Sequence, residues 1–467
     1  MAWPLLKERI MLLGILTIAQ TLLLIASLML FDREIANPSF VYCSGFLLSA
    51  ICAFLFASAW QFTLHLQTFF VILGGNACFI ATCYVCKLLY RRRMAVEVRK
   101  PVCHRQNAQK AQPSFLPVCV PLIAAYLILG IVVISWTLVA TAQLYPAESL
   151  SASIAARKYA ATFTTDDGSF FFPLNQLRSL FSAAGYVVTY LVAQEFARKR
   201  LSKCMLLPIS YVTLFAYMFT AGARTDIANN LAVLFICYLL IVIRGGEQDM
   251  RRFSKKTVVV LVCAIVAFLF GYQFLAIGRG PGSFSLDNLG AYLGAEISNL
   301  DTFLQTSGQQ DTGIFGRMTF VRTINYLGGR LGIESWVYPL DLPYLTSNGH
   351  WMGNVYGTYY AFIYDFGYVG VPILTAIMAF ISQAAYETTH KGLGSTFGNA
   401  LFDIAYGYMA CNLLFCFFSN RFYENVISIN FLRFITYVVV SLLFYLYVPK
   451  IAKAIHRGLP AKHLKAE

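Results

Sequence analysis

The chain has 467 residues, of which 58% are hydrophobic, 15% aromatic and only 12% charged. Soluble domains average about 25% charged residues, so this composition, with a mean hydropathy of +0.62, excludes a soluble enzyme, a disordered chain and a classical secreted domain. The formal net charge of +14 is not read as a nucleic-acid footprint, because most basic residues lie in short loops between apolar runs and act as topology signals.

In chain order, Lys7 and Arg9 precede an apolar run from about Ile10 to Phe31. A signal-peptide core is about 7–15 residues, so this longer run is taken as a retained helix. Runs near 10–31, 39–60, 67–90, 116–141, 174–195, 204–221, 226–244, 257–277, 368–386, 397–418 and 425–449 predict about eleven transmembrane helices. The expected fold is an all-α polytopic membrane protein with one large external loop containing amphipathic helices. An N-terminal bundle of about eight helices would occupy 1–277 and the external loop 278–367. About three helices would follow in 368–449, then a basic cytoplasmic tail in 450–467.

The 12 cysteines fall in predicted spans or inner loops, which argues against a disulfide framework. Cys83 and Cys86 form a lone CxxC inside an apolar run and read as packing. The acidic residues of the outer loops show no DxD pair, so neither a metal nor a cofactor is expected.

Loop charges set the expected orientation. The loops after the third, fifth and seventh runs hold Arg91–Arg93, Arg198–Arg200 and Arg251–Arg252, and the tail adds Lys450 and Arg457. Short basic loops stay cytoplasmic. The other side carries Arg33, Arg157, Lys158, Arg224, Arg279, Arg317, Arg322, Arg330 and Arg421, almost all arginine. The planar fork of arginine suits phosphate and carboxylate; solvated surface arginines are the plainer alternative. Arg433 is placed about eight residues into the last run, where an arginine faces a cavity or a partner. Asp226, Asn229 and Asn230 could line the same cavity, and Asp403 is placed too near the inner face for a direct pair with Arg433.

Within 278–367, Leu286, Leu289, Leu293, Ile297, Leu300 and Leu304 recur at helical spacing while Asp287, Glu296 and Asp301 avoid that stripe. The pattern predicts an amphipathic helix lying in the membrane interface. Further on, Tyr356, Tyr360 and Tyr364 share one helical face and Tyr359, Phe362 and Phe366 the next. They read either as an aromatic belt or as a platform for pyranose rings. Asp365 closes the stretch, where a carboxylate entering a membrane is costly unless paired or functional.

At this point the chain resembles the bacterial oligosaccharide repeat unit polymerases, the Wzy-type O-antigen and capsule polymerases. The resemblance rests on "GNVYGTYYAFIYDFGYVGV" at 353–371, on "TAGARTDI" at 220–227, similar to the family's external Gly-x-Arg turn, and on the layout of spans around one dominant outer loop. It implies an enzyme of the bacterial inner membrane with its site on the external face. Such an enzyme transfers a glycan from undecaprenyl diphosphate to a new lipid-linked repeat unit, with a polysaccharide chain-length regulator as a further partner.

The residues fit that chemistry. Fixed arginines would stabilise a diphosphate leaving group, with Arg224 first and Arg279, Arg317, Arg322, Arg330, Arg421 and Arg433 as further ligands. Asn354, Tyr356, Tyr359 and Tyr360 would contact sugar. The acceptor hydroxyl needs a base, for which His350, Asp365, Asp301 and Glu424 are candidates; His350 is counted as the only histidine on the outer side. An O-antigen ligase and a flippase or transporter of lipid-linked oligosaccharide are the competing readings.

Overall fold

The computed structural model describes residues 2–99, 115–164, 168–201, 204–220, 224–245, 286–310, 312–338 and 342–456. Its helices are α1 (Ala2–Leu30), α2 (Pro38–Trp60), α3 (Leu66–Arg99), α4 (Val120–Leu144), α5 (Leu150–Phe163), α6 (Phe172–Ala197), α7 (Leu206–Thr220), α8 (Arg224–Gly245), α9 (Leu286–Thr306), α10 (Val321–Leu331), α11 (Gly357–Lys391), α12 (Thr396–Leu414), α13 (Arg421–Asn425) and α14 (Ile429–His456). A small antiparallel hairpin, β1 (Leu345–Ser347) and β2 (His350–Gly353), precedes α11. Local chemistry sets several boundaries. The Asn37 side chain accepts from Ser39 N at the start of α2, where Pro38 occupies the first helical position. Ser149 and Ser395 cap α5 and α12 in the same way.

Eight of the expected spans coincide with helices long and apolar enough to cross a membrane, making this a multi-pass, all-α membrane protein. Two more, 174–195 and 204–221, are the helices α6 and α7. Helix α6 carries Asn175, Gln176, Arg178, Gln194 and Glu195, and α7 has only 15 residues. The run 257–277 lies outside the described residues.

The helices form two packed lobes. In one, α1, α2, α3, α9 and α11 surround a core of Tyr42, Phe46, Phe79, Tyr359 and Phe362. In the other, α4, α6, α7, α8 and α14 surround Phe181, Leu191, Leu214 and Val233. Helix α12 contributes to both cores and packs against α2 on one side and α8 on the other. Each lobe buries polar groups in pairs, as a lipid environment demands. The Tyr359 hydroxyl lies 2.8 Å from that of Tyr42 and 2.6 Å from Asn76 Oδ1, and Asp403 is paired with Arg244 between α12 and α8.

The bundle has two chemically distinct ends. At one, Asp32 meets Lys87 and Arg91, each at 2.7 Å, and Glu34 meets His390 at 2.9 Å. This corrects the placement of Arg33: the α1–α2 loop lies at the Arg91 end, because an odd-numbered loop must share a side with the loop after α3. At the opposite end lie the α2–α3 turn, the β-hairpin, α10 and α13.

The segment before α11 also differs from expectation. Helix α9 forms where the leucine spacing predicts it, but it packs along α2 instead of lying free at an interface. Glu296 and Asp301, expected on the solvated face, are 3% and 4% exposed. Gly294 makes this packing possible, since a Cβ there would lie 2.5 Å from the Ala53 amide nitrogen.

Helix α11 is bent rather than straight. Gly367 adopts φ 64°, ψ −162°, a region open to glycine, and Pro372 follows.

Candidate functional site

The end opposite Arg91 collects basic side chains from five helices. Arg157 of α5 and Arg178 of α6 both lie over the ring of Phe170, at 4.6 and 4.7 Å from its centroid. Arg178 also lies over Tyr217 at 5.9 Å. Burial pushes the Arg157 guanidinium down to about 10, and the like charge of Arg178 adds to the shift. Arg157 Nη1, Arg178 Nε and Arg322 Nε are buried without a hydrogen-bond partner among the described residues. Such orphaned donors cost about 1–3 kcal/mol each unless something accepts from them.

Asp226, near the start of α8, connects this pair to the rest. It lies within electrostatic range of Arg421, Arg322 and Lys158, and the Tyr217 hydroxyl donates to the Arg178 carbonyl at 3.3 Å. Arg322 Nε stands 3.7 Å from Glu424 Oε2, an ion pair too long for a hydrogen bond. Arg421 lies over Phe418 at 5.6 Å. Arg433 donates to Gln176 at 3.2 Å, two residues from Arg178. Helix α14 begins at Ile429, so Arg433 stands about one turn inside it and is exposed, instead of eight residues deep.

The other expected residues are dispersed. Arg224 is the first residue of α8, but its side chain lies outside the described residues, as does the whole of Arg279. Arg317 lies over Tyr338 at 4.1 Å and is half-buried, while Arg330 is exposed over Tyr326. Asn229 and Asn230 accept from Cys411 and Thr189 inside the second lobe.

The tyrosines form no open platform. Tyr356, Tyr359 and Tyr360 are 3%, 1% and 6% exposed. Tyr356 donates to Pro343 O, and Phe303 packs at a tilt on Tyr360 and stacks with Tyr364. An aromatic face so covered cannot stack on a sugar, so these residues are core rather than platform. Asp365 accepts from the backbone amides of Met318 (3.1 Å) and Thr319 (2.6 Å) and so fixes the turn before α10. His350 stands on β2, whose hairpin is docked by Ser347 and Asn348 onto the last carbonyls of α2. Asn299 of α9 donates to the carbonyls of Met352 and Val355 behind it, while Asn354 between them is half-buried.

Two residues were misread in the sequence. Arg178 fell inside an expected span, although an arginine one turn into an apolar run is itself a functional signal. His65, in the turn between the second and third spans, belongs to the same end as His350, so His350 is not the only histidine there.

Two cavities lie away from this arginine cluster. A groove of about 430 Å³ between α3 and α11 is lined by Gln67, Phe70, Gly75, Tyr368 and Pro372. A polar hollow of about 330 Å³ at the Arg91 end includes Asp32, Glu34, Lys87 and His390. Neither offers an anion free cationic donors as the basic cluster does: the groove is almost wholly apolar and the hollow's charges are largely paired. Comparison with known proteins returns no match to any family model, curated protein or solved structure.

Proposed function

We propose that the protein is a polymerase of lipid-linked oligosaccharide repeat units, acting from the arginine-bearing end of the bundle. In this reading Arg157, Arg178, Arg322 and Arg421, with Arg224 at the head of α8, receive the diphosphate of the donor lipid. The observation that carries the reading is the set of buried guanidinium nitrogens on Arg157, Arg178 and Arg322 that lack a hydrogen bond among the described residues. Forked cationic donors in a partly dry site match a diphosphate better than a single carboxylate. As the sugar–phosphate bond breaks, charge grows on the leaving diphosphate, and preorganised arginines stabilise it more strongly than water would. Asp226 and Glu424 balance the cluster when no anion is bound, which limits the self-repulsion of the arginines.

The orientation that suits this activity places the Arg91 end in the cytoplasm of a bacterial inner membrane and the cluster outside, consistent with the arrangement of the short basic loops. Undecaprenyl-diphosphate-linked glycans are then donor and acceptor.

Deleting the gene and analysing the cell-surface polysaccharide tests the proposal. A collapse of the glycan ladder to single repeat units supports it. Complete loss of glycan from the lipid A core would instead favour a ligase, and loss of all displayed glycan a transporter.

A further inference from the structure

At the head of α3, His65 and Asp301 form a pair to which the arginine cluster gives no role. Asp301 comes from α9 and its side chain is 5% exposed. Its Oδ1 accepts from the His65 amide at 3.0 Å and the Thr68 hydroxyl at 2.5 Å. Its Oδ2 lies 2.7 Å from His65 Nδ1. Through Oδ1 the carboxylate satisfies one free amide at the head of α3; the Oδ2 contact reaches no backbone group and is made to the imidazole alone.

An ionised carboxylate only accepts. Facing Asp301 Oδ2, Nδ1 therefore carries a proton, so that in the neutral ring the lone pair is on Nε2. The His65 side chain is 37% exposed, and no group among the described residues meets Nε2. An imidazole anchored on a buried carboxylate, with its other nitrogen open, is arranged for proton abstraction.

We propose that His65, oriented by Asp301, is the general base that deprotonates the acceptor sugar hydroxyl; this rests on the polymerase reading above. Nε2 takes the hydroxyl proton. The oxygen's electron pair forms the new bond to the anomeric carbon of the donor. The bond from that carbon to the diphosphate oxygen breaks, and its pair leaves with the diphosphate toward the arginines. Asp301 stabilises the imidazolium, which then returns its proton to the departing diphosphate or to water. No further reactant is required.

Packed side chains fill the space between this pair and Arg421. Phe303, two residues beyond Asp301, packs on Tyr360 and Tyr364. The next residue of α11, Asp365, holds the Thr319 amide. The Thr319 carbonyl accepts from Asn420, which precedes Arg421.

The test uses the full-length protein in membrane vesicles that carry the host's own lipid-linked repeat units. His65→Ala should lower chain extension by about 10²-fold or more, and added imidazole should restore part of it. Asp301→Asn keeps an oxygen for the α3 cap but presents an amide N–H to Nδ1, which drives the ring proton to Nε2. It should lower extension comparably at unchanged membrane level and melting temperature. A folded His65→Ala protein with wild-type extension, or with a loss that imidazole does not relieve, overturns the assignment and leaves the polymerase reading intact. If His65→Ala fails to reach the membrane, wild-type extension by Asp301→Asn overturns it instead. A deletion strain with an unchanged ladder overturns both readings together.

Discussion

Arg157 and Arg178 set their guanidinium groups over one shared ring, that of Phe170, at 4.6 and 4.7 Å. Two like charges brought to one ring repel, and the ring's attraction for each is only about 0.5–2 kcal/mol. The arrangement becomes favourable when an anion sits between the cations. Arg178→Lys retains the charge but loses the fork. It should cut polymer formation by about 10²-fold, as for removal of one preorganised donor, with the protein still in the membrane by immunoblot. A full glycan ladder from Arg178→Lys would remove this residue from the site.

The Arg91 end should respond to acid. Burial alone would raise the Glu34 carboxyl, but hydrogen bonds from His390 and Tyr386 hold it below its ordinary value of 4.5. The Lys87 hydrogen bond similarly holds Asp32 below 3.8, against a smaller opposing effect of burial. A depressed folded-state value contributes stability that is fully present above the unfolded value and is lost as pH falls through the folded one. Thermal stability in detergent should therefore hold above about pH 5 and decline below it. Glu34→Gln should flatten the decline, and an unchanged acid profile in that variant would dismiss the linkage.

Asp403 is wholly buried and paired with Arg244. Removing one partner leaves an uncompensated buried charge, worth about 3–5 kcal/mol of destabilisation. Arg244→Met alone should lower the melting temperature sharply. The double variant Arg244→Met with Asp403→Leu should recover most of it, and equal losses in single and double variants would refute the pairing.

The close seat of α9 on α2 gives a steric prediction. Gly294→Leu inserts a side chain where even a Cβ meets the Ala53 backbone. It should cost about 1–3 kcal/mol and increase amide exchange in α9 and the β-hairpin, which Asn299 holds. Wild-type exchange rates there would show that α9 does not pack as described.

Orientation can be read by labelling. In a cysteine-depleted variant, Gln310→Cys should react with an impermeant maleimide in intact cells, and Leu393→Cys only after lysis. The reverse pattern would place the arginines in the cytoplasm and exclude the proposed donor lipid.

Much of the scaffold is legible because apolar runs of about 20 residues have few alternatives to a membrane helix. The arginine types at one end were legible too, since Arg421 stands in a short polar connection and Arg322 in the long segment between spans. Helix α9 was harder. Its leucine stripe locates the helix, but Glu296 and Asp301 look like a solvated face until α2 and α3 are seen to cover them. Spacing also cannot show that Tyr359 turns inward to Tyr42 and Asn76, or that His65 finds Asp301, because 317, 283 and 236 positions separate these partners. Arg178 was hidden for another reason: hydropathy averages over a window and absorbs a single charge near its edge.

The bend at Gly367 has a mechanical consequence. At 1.5 Å per residue, the 35 residues of α11 would reach ~52 Å if straight, well beyond the ~30 Å hydrocarbon core. The part after the bend is sufficient to cross. The part before it, with Asp365 gripping the 318–319 turn, is a post standing on the membrane portion and bolted to the turn before α10. A bilayer that thins or thickens therefore acts on the stretch after Gly367, while the spacing among the post, α9 and α10 is fixed by protein alone. Arg322 of α10 and His65, held by Asp301 of α9, keep their separation whatever the depth at which the surrounding headgroups lie.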